Sequence, residues 1–232
     1  MKRTSFKVKL TLLTILQGQL EQAVQRAASG SREQLAAAEL LEEVQRLKEI
    51  VRKLLLFAQA DAGQLRLNLQ RVDLAGMVRD AGDDIRDQAP GVRLQVEAAG
   101  GVLVEGDPDL LNQALQNLAS NARKFNDERQ EIRIALRAES GRAVLTVANT
   151  GPRIPVGDRE RLFERFYRAD KARNRRVDGS GLGLSLAREI THAHGGDLTL
   201  DRSDADLTVF TLTLPLAGTR VVQAIPVFLS SR

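Results

Sequence analysis

Residues 5 to about 62 of this 232-residue chain consist almost entirely of helix formers, and this run constrains the fold more than any other feature. The run is broken at Ser29-Gly30-Ser31, a short loop at the position expected for a helical hairpin. After Asp61-Ala62-Gly63 the pattern changes to shorter segments that alternate between helical and strand periodicity. The sequence therefore predicts two parts with different architectures.

The predicted hairpin carries apolar seams at helical spacing. In its second arm the apolar residues recur at intervals of three and four, at Leu41, Val44, Leu47, Val51, Leu54 and Leu55. The first arm has a matching series at Leu13, Leu16, Leu20 and Val24. Because two helices alone cannot bury both flanks of such seams, we expect a homodimer that forms a four-helix bundle through the hairpin.

The remainder of the chain predicts an α+β sandwich with helices on one face of a mixed sheet. Asp73 is expected to cap a helix that runs to about Gln88, and Asp107-Pro108 opens a second helix. Strand patterns occur at residues 92–98, 102–105, 132–138, 143–148, 198–200 and 207–214. A short helix is expected around Arg159–Phe166. We therefore expect a hairpin in residues 1–64, the sandwich in 65–218 and a tail without an assigned role in 219–232.

Composition excludes several classes of function. The net charge of +4 is scattered, and only 3% of residues are aromatic, so the stacking residues of a single-strand nucleic-acid binder are missing. There are no cysteines, which excludes disulfides and cysteine metal sites and fits a cytoplasmic protein. No segment reaches the roughly 18 apolar residues that a membrane span needs. We interpret the short apolar run Leu10–Leu16 as the start of a helix rather than an export signal.

Two polar segments indicate a nucleotide pocket. Asn117, Asn121 and Lys124 are spaced by four and three residues, so their side chains project from one face of the second predicted helix. Two amides and an ammonium group on one face suit a polyphosphate with its magnesium ion. The segment Gly179-Ser180-Gly181-Leu182-Gly183-Leu184, which we call the glycine run, opens a third helical pattern. Bare backbone amides can approach an anion there.

The segments between these two make the pattern more specific. Asn149-Thr150-Gly151-Pro152-Arg153-Ile154-Pro155, the G1 segment, follows a predicted strand, and Phe163-Glu164-Arg165-Phe166-Tyr167 comes next. In order and spacing the four segments resemble the N, G1, F and G2 boxes of the sensor histidine kinase ATP-binding domain, a branch of the GHKL ATPases. Residues 161–170 and 178–187 are most similar to the heavy-metal-sensor subgroup. The resemblance implies a GHKL (Bergerat-type) sandwich and a protein histidine kinase of two-component signalling, with a response regulator downstream.

The resemblance also implies roles for individual residues, with ATP and Mg²⁺ as cofactors. Asn121 corresponds to the magnesium-holding asparagine, since an amide carbonyl is a fitting hard ligand for Mg²⁺. Asn117 corresponds to a phosphate or metal-water contact and Lys124 to a phosphate partner. The triphosphate contacts implied for the glycine run are Gly179, Gly181, Leu182, Gly183 and Leu184.

The base end of the implied pocket departs from the family pattern at two positions. Asn149 stands where the family usually has an aspartate that accepts a hydrogen bond from the adenine amino group. An asparagine carbonyl can still accept that bond, but without charge, which predicts weaker adenine affinity. Gly151 and Ile154 match the family's G1 positions, whereas Arg153 replaces its second glycine.

A basic cluster lies in the segment that corresponds to the ATP lid: Arg165, Arg168, Lys171, Arg173, Arg175 and Arg176. Most charge runs of this kind are solvated surface. By resemblance, Arg165 or Arg168 would stabilise charge on the transferring phosphoryl group. Phe163, Phe166 and Tyr167 are expected to anchor the lid in the core rather than stack on the nucleotide.

The phosphoacceptor histidine of the family is missing. When the family's acceptor box is aligned on residues 13–21, Lys7 falls at the position of the histidine. A lysine ammonium group at neutral pH has no lone pair to attack phosphorus. Autophosphorylation at the usual place is therefore chemically blocked.

Several alternatives follow from Lys7. The chain can phosphorylate the histidine of another kinase chain, its first helix can be degenerate or altered at its start, or it can be a pseudokinase that binds nucleotide and serves as a dimerisation partner. Another GHKL-type ATPase is disfavoured because the helical hairpin comes first and no transducer domain follows.

Overall fold

The computed structural model describes residues 2–127, 130–168, 180–204 and 207–218, and for residues 2–7 it describes the backbone alone. The chain divides into two compact units, Met1–Leu65 and Arg66–Arg232. The tail at residues 219–232 lies outside the described residues.

The first unit is the predicted helical hairpin. Helix α1 spans Lys2–Arg26 and helix α2 spans Arg32–Asp61. Between them Gly30 adopts a φ of +75°, a conformation that glycine enters without steric cost. Ser31 caps α2 by accepting a hydrogen bond from the backbone N–H of Gln34, and the Gln34 side chain accepts one from the N–H of Gly30. The two bonds satisfy backbone N–H groups around the start of the helix that would otherwise lack a hydrogen-bond acceptor.

The seam of α2 is only partly covered within one chain. Val44 and Phe57 are buried, whereas Leu47 is 43% exposed. Further large apolar side chains are exposed on both helices, at Val8, Leu12, Ile15, Leu16, Leu35 and Leu40. Position 7, occupied by lysine, lies within α1. Among the helices that the structure describes, none is both long and apolar enough to cross a membrane.

The second unit contains seven strands and three helices in its described residues. The strands are β1 Gln70–Asp73, β2 Arg93–Ala98, β3 Leu103–Gly106, β4 Glu131–Glu139, β5 Arg142–Asn149, β6 Asp197–Ser203 and β7 Thr208–Pro215. The helices are α3 Leu74–Gln88, α4 Pro108–Lys124 and α5 Gly183–Ala193. The three helices pack on one face of the larger sheet, so this unit is the predicted α/β sandwich with a mixed sheet.

The larger sheet has the strand order β2-β4-β5-β7-β6. Strand β2 pairs in parallel with β4, and all other neighbours are antiparallel. A separate antiparallel pair joins β1 and β3, and Leu216 forms a bridge to Val104 of that pair. Strand β5 ends at Asn149, where the G1 segment begins. Strand β3 ends at Gly106, shortly before the start of α4.

The core lies between the helices and the larger sheet. From the sheet, alternate residues of β4 and β7 point inward, including Ile132, Ile134, Leu212 and Leu214. From the helices, Leu118 of α4 and Leu186 and Ile190 of α5 are buried almost completely. The predicted cap at Asp73 is present, since its side chain accepts from Ala75 N–H. Helix α4 begins at Pro108 as expected, and Asp107 caps it by accepting from Asp109 and Leu110 N–H.

Two expectations about the fold were incomplete. The short helix expected at Arg159–Phe166 is wrong, because the segment forms two 3-10 turns, Val156–Asp158 and Arg161–Phe163. Strand β1 was not predicted, because it has four residues and only Val72 among them is buried.

Candidate nucleotide-binding site

Helix α4 presents an apolar face to the core and its two asparagines at the edge of that face. Leu118, Ala119 and Ala122 are buried, while Asn117 and Asn121 are half-buried and lie one turn apart. Lys124 ends the helix and is exposed. Ala119 and Ala122 face the core, so the two asparagines stand at the border between the core and the surface.

Asn117 meets the glycine run. A Cβ atom added at Gly183 would lie 3.3 Å from Asn117 Oδ1, so the asparagine amide rests against the first turn of α5. The Nδ2 atom of Asn117 is buried and has no hydrogen-bond partner among the described residues. A buried donor without a partner costs about 1–3 kcal/mol. An acceptor such as a phosphate oxygen would satisfy it.

The start of α5 has the properties of an anion site. Leu182 precedes the helix and is fully buried, which anchors the run, and Leu184 in the first turn is half-buried. Among the described residues no side chain caps the N-terminus of α5, where Leu182 holds the cap position, so none of them engages the first backbone N–H groups as a cap. Uncapped amides at a helix N-terminus bind anions readily. Gly179 lies outside the described residues.

Gly181 lets the glycine run pack against the segment that follows the second 3-10 turn. Its φ is +69°, and a Cβ there would lie 2.8 Å from the carbonyl carbon of Phe166. The Gly181 carbonyl accepts a hydrogen bond from the N–H of Phe166 at 3.0 Å. A side chain at position 181 would therefore be strained and would separate these two segments.

Asn149 is buried at the end of β5, with 3% of its surface exposed. Its Nδ2 group donates to the carbonyl of Phe125 at 3.2 Å and to the carbonyl of Thr150 at 2.9 Å. Both amide hydrogens are thereby used, and a flipped amide would set its oxygen against two carbonyl oxygens. The bonds therefore fix Asn149 with its Oδ1 atom, an acceptor, on the opposite side of the amide.

Gly151 allows the end of α4 to touch the G1 segment. A Cβ added there would lie 2.2 Å from the carbonyl oxygen of Phe125 and 3.1 Å from Asn149 Nδ2. Only glycine permits this approach without movement of the backbone. The end of α4 and the G1 segment thus form one junction, in which Phe125 contacts both Asn149 and Gly151.

Replacing Gly151 with alanine is expected to lower the free energy of unfolding by about 1–3 kcal/mol, because the new methyl group overpacks this junction. The matched control is Gly157→Ala in the same loop, where an added Cβ meets nothing within 4 Å. Chemical denaturation of both variants measures the difference. Equal stability of the two variants would show that the junction is not as tight as described.

Ile154 is held by two residues that were not singled out from the sequence. Its N–H donates to Ser203 Oγ at 2.8 Å, and its carbonyl accepts from Arg159 Nε at 3.4 Å. Arg159 also donates to the Ser203 carbonyl at 2.6 Å. Ser203 is buried at the end of β6, and no sequence motif marks it.

Arg165 and Arg168 are both exposed and flank Phe166 and Tyr167. Phe163 packs edge-on against Phe210 with ring centroids 6.3 Å apart, as expected for an anchor. Phe166 is 58% exposed, so the expectation that it lies in the core is wrong. Tyr167 donates its hydroxyl to Asp158 at 2.6 Å, and this hydrogen bond raises the pKa of the tyrosine. Lys171, Arg173, Arg175 and Arg176 lie outside the described residues.

The structure thus brings the predicted residues together in two groups. Asn117 and the start of the glycine run meet at one end, and Asn149, Gly151 and the end of α4 meet at the other. Asn121 lies on α4 between these groups. The side-chain amides of α4 and the backbone N–H groups at the start of α5 suit a nucleotide with a divalent cation.

A family model described as "Histidine kinase-, DNA gyrase B-, and HSP90-like ATPase" matches residues 106–218. The probable sensor protein PcoS of Escherichia coli is 37% identical over 196 residues, which cover 83% of this chain and 41% of that protein. The histidine-protein kinase AfsQ2 of Streptomyces coelicolor is 35% identical over 217 residues, covering 90% of this chain and 39% of that protein. The chain therefore spans about two fifths of the length of these relatives.

Solved structures give the same result for the fold. Full-length ShkA in complex with AMPPNP superposes with a TM-score of 0.77 at 25% identity, covering 94% of this chain and 47% of that one. The mycobacterial sensor histidine kinase MprB superposes with a TM-score of 0.57 at 27% identity, covering 64% of this chain and 97% of that one. The chain therefore belongs to the histidine kinase-, DNA gyrase B- and HSP90-like ATPases and carries the ATPase domain of a two-component sensor kinase.

Proposed function

We propose that this chain is the histidine kinase core of a two-component signalling system, which binds Mg-ATP and directs phosphoryl transfer to a histidine. One observation supports the proposal most: the unpartnered Nδ2 donor of Asn117 is buried where α4 meets the uncapped start of α5. A triphosphate is the ligand that satisfies a donor placed beside helix-terminal amides.

The proposed nucleotide contacts follow the two groups of the site. Asn149 Oδ1 accepts from the adenine amino group, and Gly151 and Ile154 line the base end. Asn117 and Lys124 bind phosphate oxygens together with the backbone of the glycine run, from Gly179 through Gly181, Leu182 and Gly183 to Leu184. The fixed orientation of Asn149 favours ATP over GTP, because guanine carries a carbonyl oxygen where adenine carries an amino group.

We assign Asn121 to Mg²⁺. Its side-chain carbonyl is a hard oxygen ligand, and Mg²⁺ sites in nucleotide enzymes combine one or two protein oxygens with phosphates and water. The half-buried position of Asn121 on α4, one turn after Asn117, fits this role. When bound, the ion supplies charge neutralisation at the phosphates.

Phosphoryl transfer requires positioning and charge stabilisation rather than a nucleophile from the ATPase domain. We assign charge stabilisation to Arg165 and Arg168, which lie directly beside the segment that contacts Gly181. The amides of Asn117 and the α5 start hold the phosphates, and the buried junction at Gly151 fixes the base. The chain thereby orients the nucleotide toward an acceptor on another helix.

Lys7 at the expected acceptor position implies that the histidine is supplied by another chain. We propose another histidine kinase as that chain and a response regulator as the next partner. The second candidate is a catalytically impaired pseudokinase that binds nucleotide and acts as a dimerisation partner. Lys7 favours it directly, and the uncharged Asn149 is consistent with it.

Labelled Mg-ATP distinguishes these functions. The intact chain is incubated with it alone, and with a sensor kinase whose ATP site is inactivated but whose histidine is intact. The kinase proposal predicts acid-labile label on the second chain and none on the first. Label on neither chain, despite measurable nucleotide binding, would leave the pseudokinase.

We further propose that the hairpin forms a homodimer. Val8, Leu12 and Ile15 follow each other at spacings of four and three on α1 and are 53%, 60% and 54% exposed. Such a stripe lies on one face of a helix and is typically covered by a partner. A second copy of the hairpin would complete a four-helix bundle.

Changing Leu12 to glutamate is expected to convert the dimer to a monomer, because the charge would be buried in the proposed interface. Light scattering should show the mass fall from twice the chain mass of 25.5 kDa toward that single value. The matched control is Thr14→Glu, an exposed position about half a turn around the same helix. A wild-type monomer, or a dimeric Leu12→Glu variant, would contradict the proposed interface.

A further inference from the structure

His194 caps the end of α5 and engages both of its ring nitrogens. The side chain is 8% exposed, Nδ1 lies 2.7 Å from the carbonyl oxygen of Ile190, and Nε2 lies 3.0 Å from the backbone nitrogen of Asp107. A carbonyl only accepts, so Nδ1 carries the proton. Nε2 must then accept from the Asp107 N–H. The bonds define a neutral imidazole in one tautomer.

The ring also packs directly on the chain that enters α4. A Cβ added at Gly106 would lie 3.0 Å from His194 Cδ2 and 2.5 Å from a methyl carbon of Leu111. The next residue, Asp107, caps α4 with its carboxylate and holds the N–H of Asn68 at 3.0 Å. His194 therefore fastens the end of α5 to the residue that begins α4.

The two helices also come close together where Asn117 of α4 faces Gly183 of α5. Asn117 lies ten positions after Asp107, and His194 lies eleven positions after Gly183, which correspond to about 15 and about 16.5 Å of helix. The two helical spans have nearly the same length. Each runs between the Asp107–His194 contact and the Asn117–Gly183 contact, and the two helices run in opposite directions. His194 and Asp107 thus meet at one end of the α4–α5 interface, and Asn117 meets the start of α5 at the other.

We propose that His194 is a positioning residue that sets the register of α4 against α5, so that its protonation on acidification weakens nucleotide binding. This inference rests on the proposed nucleotide function. A protonated ring would carry N–H at Nε2 and would face the N–H of Asp107, donor against donor. Protonation therefore requires the contact to open, and Asn117 and Asn121 then lose their fixed position relative to the glycine run.

The surroundings of His194 set the direction of its titration. Burial lowers its pKa from the ordinary value of 6.5, while the bond to Ile190 and the charge of Asp107 oppose that effect. The other nearby charged groups are engaged elsewhere: Arg142 donates to the Gly195 carbonyl and Thr213, and His192 pairs with Asp197. Because the folded form has the lower pKa, the contact is intact above pH 6.5. It is lost as the pH falls below that value through the pKa of the folded form.

Two substitutions separate the roles of the ring nitrogens. His194→Gln places an amide oxygen near the position of Nε2, so it keeps an acceptor for the Asp107 N–H but does not titrate. His194→Asn keeps a donor near the Ile190 carbonyl and is too short to reach Asp107. Phosphates of ATP themselves titrate near pH 6, so each variant is compared with wild type at the same pH.

Mg-ATP affinity of the full chain is measured at pH 7.5 and at a pH below the titration midpoint that NMR gives for His194. We expect wild type and His194→Gln to bind equally at pH 7.5, and wild type to lose an additional factor of about three to ten below the midpoint, the range for one hydrogen bond. His194→Asn should bind more weakly than wild type by a similar factor at pH 7.5. Identical pH profiles for wild type and His194→Gln, or full affinity for His194→Asn, would overturn the proposal.

A second readout needs no variant and no nucleotide. The chain has two histidines, so ¹⁵N labelling of histidine gives two imidazoles to assign by NMR. The ring assigned to His194 should be protonated at Nδ1 at pH 7.5 and should titrate below 6.5. A His194 ring protonated at Nε2, or one that titrates above 6.5, would refute the His194 arrangement. If that arrangement is found but ATP does not bind at any pH, the nucleotide function fails and not the position of His194.

Discussion

Replacing Lys7 with histidine is expected to convert a chain that does not label itself into one that autophosphorylates. An imidazole near neutral pH has a free lone pair, whereas a lysine ammonium group has none. Position 7 lies in α1 of the hairpin, where the family resemblance puts the acceptor. Incubation with labelled Mg-ATP should give acid-labile, base-stable label at least about tenfold above wild type, since a nucleophile is gained where none existed.

Two control variants test whether the label depends on the new histidine and on the nucleotide site. Lys7→Asn removes the ammonium group without adding a nucleophile and should remain unlabelled. The double variant Lys7→His with Asn121→Ala should also remain unlabelled, because the nucleotide site is then lost. If Lys7→His binds Mg-ATP and labels the histidine of a second kinase chain but takes up no label itself, the assignment of position 7 as the acceptor position is wrong.

Replacing Asn121 with alanine is expected to abolish magnesium-dependent ATP binding. The substitution removes the carbonyl assigned to Mg²⁺ from α4 but leaves the buried face of the helix, Leu118 and Ala122, untouched. Without the ion, the negative charges of the phosphates are no longer neutralised. The affinity for ATP should therefore fall by about a hundredfold or more, because contacts between charged groups are stronger than those between neutral groups. Competition against a fluorescent nucleotide, with and without Mg²⁺, measures the loss.

The matched control for Asn121 is Asn112→Ala, an exposed asparagine on the same helix. It should bind Mg-ATP as wild type does, and both variants should unfold at similar denaturant concentrations. Unchanged affinity in Asn121→Ala would refute the pocket itself rather than a detail of it.

Local sequence signals predicted those parts of the fold that depend on neighbours in the chain. Asp73 caps the helix that it was expected to cap, and the helix expected after Asp107 begins at Pro108. A carboxylate one to three residues before free N–H groups caps them without distant contacts. The turns at Val156–Asp158 and Arg161–Phe163 were misjudged as a helix because their ends are fixed by distant partners. Arg159 bonds to Ser203, which is 44 residues away in the chain.

In the candidate site, too, local sequence signals were predictable and contacts between distant residues were not. Asn117, Asn121 and Gly183 could be proposed from the sequence because their residue types and spacing suit the chemistry of a nucleotide. The pairing of His194 with Asp107 joins residues 87 positions apart, and no periodicity marks it. Asn149 was expected to be a weaker acceptor than aspartate. Its two bonds to backbone carbonyls, which fix the direction of Oδ1, emerge only when β5 and the end of α4 are placed together.

The most direct test of the central claim, that α4, the G1 segment and the glycine run form an Mg-ATP site, is calorimetric titration of the intact chain. Mg-ATP should bind at one site per chain, more weakly when Mg²⁺ is removed. GTP should bind at least about tenfold more weakly, because the site presents an acceptor to the base. Absence of saturable Mg-ATP binding by a folded chain, or equal affinity for ATP and GTP with no effect of Mg²⁺, would contradict the account.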